Sequence, residues 1–318
     1  MKYFDQIIGQ EVAKRKLSFY IESYKATSRI PHLMFVSEKG TGKTMFAKVV
    51  AEALGKPYLI LNCSSLKNIK NFFRDHIDKY FITKFSSNDN AIFEKCNQAV
   101  TIVFDEASEL SKELTMSLLT ILNPNEEGQN IFEFDGNKYI FDFSKHSFFF
   151  CTSEPQHVFH ALMDRCERVD LEAYSTEDLG KILAKNIKVA VDKETLKAVS
   201  SVLRGNPRSA QKMSETINNV IKAFGLDHFD IQDWNTLKYT LGILPLGVTH
   251  TELQILKILY EETTVKLTHL AAKMGLTISS VQRHFEHFLI RNKLIKIQSG
   301  GRELTTLGRN YIDSLQNS

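Results

Sequence analysis

The chain has 318 residues, 43% of them hydrophobic and 24% charged, which is enough for two or three packed domains and too balanced for a largely disordered protein. No apolar run reaches the ~20 residues that a membrane span needs, and the opening "MKYFDQIIGQ" lacks a signal-peptide core. The net charge of +3 is unevenly placed. From Leu244 onward there are nine Lys/Arg against six Asp/Glu, and from Lys273 to Arg309 seven against two, which directs the search for a nucleic-acid contact there. Cys63, Cys96, Cys151 and Cys166 show no C-x-x-C spacing. That argues against a zinc site or a disulfide framework and makes a reducing cytoplasm the expected compartment.

In chain order, "PHLMFVSEKGTGKTMFAKVVAEALG" predicts a buried strand (His32 to Val36), a glycine-containing loop and a helix stopped by Gly55. "YLILNC" (Tyr58 to Cys63) predicts a second strand. Residues 64–98 mix helix-like and polar pieces, with a loop at Ser86 to Asn90. "AVTIVFDEAS" is an apolar strand ending in two acids, and "ELTMSLLTILNPNEEG" a helix broken at Pro124. "NIFEFDGNKYIFDF" alternates around Asp135-Gly136, a hairpin signal, and "HSFFFCTSEP" is a further buried strand. Strands alternating with helices predict an α/β layer with a parallel sheet and one inserted hairpin. After Tyr174 three helical segments follow, two of them opened by the cap residues Ser175 and Asp192. Beyond the linker "LGILPLGVT" come three more helices and a two-strand wing, "IKIQSGGRELTT".

The stretch "SEKGTGKT" (Ser37 to Thr44) departs from the phosphate-loop pattern only at its first position, where serine stands for glycine. Gly40 and Gly42 let backbone N–H groups wrap phosphates at the positive end of a helix; Lys43 is placed for the β/γ phosphates and Thr44 for Mg²⁺. Asp105 and Glu106 end an apolar strand at the edge where parallel sheets bind ligands, as a Mg²⁺ ligand and a polariser of the attacking water. Together the two motifs predict an ATP and Mg²⁺ site in which Ser37 is tolerated.

At this point the chain resembles the AAA+ ATPases and, within them, the RuvB family of hexameric motors that migrate Holliday junctions. "FDQIIGQEVAKRKL" is similar to that family's "DFIGQ" segment, "VFDEASELS" to its "FIDEIHRLS", "LEAYS" to its "LEFYT" and "RGNPRSAQKM" to its "RGTPRIANRL". "FCTSEPQHVFHALMDRC" follows its "GATTRAG…SPLRDRF", with Met163 in place of the first arginine of "RDR". The resemblance implies a AAA+ core over residues 1–173 with an inserted hairpin at 130–143, a helical lid over 174–243 and a winged-helix domain over 244–318. It assigns Ile8, Thr41, Met45 and Tyr174 to nucleotide binding and Thr152, with Ser153 as alternative, to sensing the γ-phosphate. Arg165, with Arg168 as fallback, is the finger inserted into a neighbouring subunit, and Arg208 closes the lid onto the nucleotide.

In the C-terminal domain Thr277 to Ile290 is expected to be the recognition-like helix, with Arg283, His284 and His287 outward and Val281, Phe285, Phe288 and Leu289 inward. The resemblance gives Arg302 a phosphate contact on the wing; its other family arginine is replaced by Ile297, with Lys296 beside it. The hairpin aromatics Phe132, Phe134, Tyr139 and Phe141 suggest a contact with a RuvA-like partner. The expected function is an ATP-driven, ring-forming translocase on duplex DNA and Holliday junctions. A clamp-loader-like ATPase and a non-hydrolysing DNA-binding adaptor are the rivals.

Overall fold

The computed structural model describes residues 3–66, 68–85, 91–124, 128–134 and 137–316. The predicted loop at Ser86 to Asn90 and the Asp135-Gly136 turn lie outside the described residues. The described chain divides into two compact units, one of residues 1–200 with 205–228, the other of residues 201–204 with 229–318.

In the first unit the elements run α1 (Glu11–Thr27), β1 (Leu33–Val36), α2 (Lys43–Ala53), β2 (Tyr58–Asn62), α3 (Ile69–Phe72), β3 (Phe81–Phe85), β4 (Ala91–Cys96) and β5 (Thr101–Asp105). They continue with α4 (Lys112–Leu122), β6 (Asn130–Phe134), β7 (Asn137–Phe141), β8 (Ser147–Thr152), α5 (His160–Met163) and β9 (Glu167–Asp170). Then follow α6 (Thr176–Asn186), β10 (Ala190–Val191), α7 (Lys193–Ser200) and α8 (Pro207–Phe224). The main sheet has the order β2-β5-β8-β1-β9, with all four pairings parallel.

A parallel sheet is stable only when both faces are covered, and its strands show how this is done. In β8, Phe148 and Phe150 point into one apolar cluster while Phe149 and Cys151 point into the other. The Phe149 side is covered by α1, through Leu17 and Ile21, and by α2, through Phe46 and Val50. The Phe148 side is covered by Leu114 and Leu118 of α4 and by aromatics from residues 72–81 and 132–143. Helices of this unit are capped at their N-termini, by Ser175 and Asp192 as the sequence predicts and also by Ser111. Ser111 opens α4 and Ser175 opens α6, each hydroxyl accepting a backbone N–H, and Asp192 accepts from Thr195.

The largest difference from the sequence reading lies between residues 64 and 98. Instead of an irregular connection, β3 and β4 join the inserted hairpin in a four-stranded sheet of order β3-β4-β7-β6, antiparallel except between β4 and β7. The hairpin aromatics are correspondingly turned inward. Phe73 packs against Phe132, Phe141 and Phe143 with ring centroids 5.1, 4.8 and 6.2 Å away. Tyr139, half-buried, also packs on this core, so Phe132, Tyr139 and Phe141 serve the chain's own interior. The side chain of Phe134 lies outside the described residues.

The second unit holds β11 (His228–Phe229, from Phe229 on), α9 (Ile231–Thr240), α10 (His250–Glu262), β12 (Thr264–Val265), α11 (Leu267–Met274), α12 (Ile278–Val281), α13 (His287–Arg291), β13 (Ile295–Gln298), β14 (Gly301–Leu304) and α14 (Thr306–Gln316). The predicted two-strand wing is part of a three-stranded sheet, because β12 pairs with β14. The recognition-like helix is α12 and α13 joined by a π-helical turn, Gln282–Glu286. Val281 and Leu289 are buried in its core as expected, with Phe285 and Phe288 packed against it.

His146 is buried, stacked on Phe81 at a centroid distance of 5.2 Å, and neither ring nitrogen has a partner among the described residues. Burial, assisted by the Lys56 charge, holds its pKa down to about 4 against an ordinary 6.5. The unfolded chain therefore takes up this proton near pH 6.5 and the folded one not until about pH 4. The associated stability is complete above pH 6.5 and is lost as pH falls through that window. Replacing His146 by Phe keeps a ring in the stack and removes the titration. The drop in unfolding free energy between pH 7 and pH 5, followed by denaturant titration, is expected to shrink by about 2 kcal/mol.

Candidate nucleotide site

The parallel register brings the chemistry to one edge. Asp105, the last residue of β5, pairs with Cys151, and Val36, the last of β1, pairs with Thr152. The residues that follow these strands therefore emerge side by side: the loop from Ser37, Glu106, and Ser153.

Within the loop, Gly40 and Gly42 have φ of +87° and +103°, a region where a side chain is strained. Ser37 is not among the residues with positive φ, so its backbone does not call for glycine. Its hydroxyl hydrogen-bonds with that of Thr41, which also donates to Glu38 O at 2.8 Å. The serine thus adds a tie across the loop. Lys43 is almost fully buried and its Nζ donates to Ser37 O and Glu38 O, both at 3.1 Å. Burial lowers the Lys43 pKa from its ordinary value, the Glu106 and Asp105 carboxylates oppose that, and the charge of Arg208 adds to it. Lys43, Glu106, Asp105 and Arg208 therefore share one electrostatic neighbourhood.

Two bonds reach the acidic strand end, one from the phosphate-loop side and one from the residue after β8. The Thr44 hydroxyl donates to Asp105 Oδ2 at 3.0 Å, and the Ser153 hydroxyl reaches Glu106 Oε2 at 3.4 Å. Thr152 is fully buried and turned elsewhere: its hydroxyl accepts the Glu154 N–H at 3.0 Å, and its carbonyl accepts Ser37 N–H at 3.3 Å. Of the two hydroxyls weighed for sensing phosphate, Ser153 is the one that reaches Glu106.

On the far side of the loop, Gln10 exchanges two hydrogen bonds with the backbone of Glu172, at 2.6 and 3.0 Å. This fixes the N-terminal segment, with half-buried Ile8, beside Tyr174. Tyr174 is buried; its pKa is pushed up to about 12 by burial and the Asp178 carboxylate, against a hydrogen bond with Gln10. Met45 is exposed on the first turn of α2. Arg208 is exposed on the first turn of α8, and Arg165 is exposed with its Nη1 donating to Ala161 O at 2.7 Å. Arg168 is held by Asp170 at 2.7 Å. A residue the sequence reading passed over, Asn206, caps α8 and donates to Lys39 O in the phosphate loop at 3.1 Å. The Asn-Pro pair before a helix was the signal that marks it.

In the second unit the wing cations are engaged. Arg302 pairs with Glu286 through two bonds, at 2.5 and 3.2 Å, with little of either side chain exposed. Lys296 pairs with Glu303 at 3.1 Å. Arg283, with His284 and His287, is exposed on the recognition-like helix.

The donor set fits magnesium and a nucleotide: one carboxylate and one hydroxyl already joined, hard oxygens of the kind Mg²⁺ takes alongside phosphate oxygens. The geometry is that of a phosphate-loop ATPase with its acidic partner strand.

Comparison with known proteins agrees. The model of the ATPase family associated with various cellular activities matches residues 33–174, and that of the RuvB C-terminal winged helix domain matches residues 245–313. The Holliday junction branch migration complex subunit RuvB of Mycoplasmopsis pulmonis is 22% identical over 99% of this chain and 97% of its own. The protein of that name from Thermosipho melanesiensis is 22% identical over 97% and 96%. A solved structure of the Thermotoga maritima RuvB Holliday junction branch migration motor has the same fold, with a TM-score of 0.76 at 19% identity, over 97% of this chain and 96% of that one. Fold and site thus define a AAA-type ATPase module followed by a winged-helix domain of the RuvB type. The chain is similar to RuvB proteins along nearly its whole length, at low identity.

Since the backbone at residue 37 makes no demand for glycine, Ser37→Gly is expected to change the affinity for a fluorescent ATP analogue by no more than about tenfold, the upper worth of one neutral hydrogen bond. Titration of both proteins checks this.

Proposed function

We propose that this protein is an ATP-driven motor that assembles into a hexameric ring and moves duplex DNA so as to migrate Holliday junctions. The observation that carries the reading is the Thr44–Asp105 hydrogen bond with Lys43 buried beside it, in a chain similar along nearly its whole length to RuvB proteins. Lys43 and the loop N–H groups hold the β and γ phosphates, and Thr44 with Asp105 holds Mg²⁺, which neutralises phosphate charge when bound. Glu106 orients the attacking water and Ser153 orients Glu106. Arg208 approaches the phosphates from α8, and Ile8 and Tyr174 flank the base. Arg165, exposed and donating to the Ala161 carbonyl, supplies the cation for a neighbour's transition state, so that hydrolysis depends on assembly. The wing of the second unit supports this reading over a clamp-loader-like ATPase. A RuvA-like partner would meet the exposed side of the inserted hairpin, where Ile131 lies, rather than its buried aromatics.

ATP hydrolysis with and without duplex DNA tests the reading. DNA-stimulated turnover is expected, with Glu106→Gln and Arg165→Ala each lowering it at least ~100-fold. Each variant keeps what the other lacks, so mixing the two should restore part of the activity if Arg165 acts across subunits. Turnover absent under every condition, with duplex binding intact, would favour a non-hydrolysing adaptor.

The DNA contacts separate by charge state. Arg302→Ala should destabilise the winged-helix domain by about 3 kcal/mol, because it strands the buried Glu286 carboxylate. Arg283→Ala should leave stability unchanged, weaken duplex binding for all sequences alike and reduce the salt dependence by about one phosphate contact. Thermal unfolding and binding at several salt concentrations measure both.

A further inference from the structure

The N-terminus of α8 meets the phosphate loop through a single side chain. The amide oxygen of Asn206 accepts the N–H groups of Arg208 and Ser209, at 3.0 and 3.3 Å, as a helix cap does. Its amide nitrogen points the other way and donates to Lys39 O at 3.1 Å. The fit is close. A Cβ added to Gly40 would stand 2.6 Å from the Asn206 oxygen and 2.8 Å from its nitrogen, so any other residue at position 40 would displace the Asn206 amide, besides being strained at a φ of +87°.

The preceding residue anchors the same corner on its other side. Gly205 O accepts the Tyr174 N–H at 3.0 Å, and a Cβ on Gly205 would lie 3.0 Å from Ala173 Cβ and 3.2 Å from Tyr174 O. Residues 205 and 206 therefore join three parts of the site: the strip carrying Tyr174, the phosphate loop, and the helical turn carrying Arg208. Capping alone does not select asparagine, since serine, threonine and aspartate cap as well. Only asparagine among these four carries an acceptor for the helix and a separate N–H donor for the loop.

We infer that Asn206 is a positioning residue, whose amide holds the first turn of α8, and with it Arg208, against the phosphate loop. The inference rests on the reading of that loop as a nucleotide site. It makes nucleotide affinity and the contribution of Arg208 depend on one hydrogen bond. Loss of the bond frees the lid helix from the loop without touching any group that contacts the phosphates directly.

The test is a titration of a fluorescent ATP analogue, with Mg²⁺, into the full chain and into Asn206→Ser, Arg208→Ala and the double variant, beside Lys43→Ala. Serine retains the cap but has no second donor that reaches Lys39 O. Asn206→Ser should therefore unfold at nearly the wild-type temperature, yet bind nucleotide about five- to tenfold more weakly. The Arg208→Ala loss should be much smaller in the Asn206→Ser background than in the wild type, since the two act through one contact. Asn206→Thr, which also keeps the cap, should reproduce the serine result and carries the test if the serine variant does not fold. Affinity within twofold of wild type, or losses that simply multiply, would overturn the inference while leaving the nucleotide site intact. Wild type that binds no better than Lys43→Ala would overturn the nucleotide reading and this inference together.

Discussion

The site depends on the parallel register of β5, β8 and β1. Because these strands run the same way and end level, three unrelated stretches of chain deliver their next residues to one edge. One supplies a loop of backbone N–H groups, one a pair of carboxylates, one a pair of hydroxyls. A shift of one residue in β5 would turn Asp105 to the other face of the sheet and break the bond to Thr44. The alternation along β5, with Ile102 and Phe104 in one core and Val103 in the other, opposes such a shift, because it would exchange the two sets of buried side chains. The apolar interior therefore sets the chemistry.

Charge at that edge is arranged in opposition. Lys43 is buried and carries its charge against a desolvation penalty, relieved by Glu106 and Asp105 and increased by Arg208. Two cations facing each other are a poor arrangement for stability alone. They suit a site that receives a polyanion, whose phosphates relieve the repulsion. The backbone carbonyls of Ser37 and Glu38 hold Lys43 in the loop meanwhile, and Asn206 holds the helix that carries Arg208.

The winged-helix domain shows why a count of charges along a sequence overstates a surface. The excess of basic residues after Lys273 is real, but its two wing cations answer carboxylates of the same domain. Glu286 lies sixteen residues before Arg302, and Glu303 faces Lys296 across β13 and β14. Arg283, His284 and His287 are exposed on the recognition-like helix. The sequence placed those three outward from helical periodicity, while the cross-element pairs of the wing have no local signal.

The sequence by itself determined the phosphate loop, the acidic strand end, the alternation of strands and helices and the cap residues Ser175 and Asp192. Each of these is written in neighbouring residues, as a spacing, a period or a terminal signal. Tertiary structure decided the rest. Residues 81–85 and 91–96 became strands only because the inserted hairpin offered an edge to pair with, and Phe132 and Phe141 turned inward only because Phe73 and Phe81 were there to meet them. Ser153 rather than Thr152 reaches Glu106 because the backbone at the end of β8 turns the threonine inward. Asn206, passed over in the sequence, bonds to the phosphate loop only because the fold sets Lys39 beside it. A side chain that bonds across 167 residues of chain has no pattern to announce it, since only packing makes the two ends neighbours.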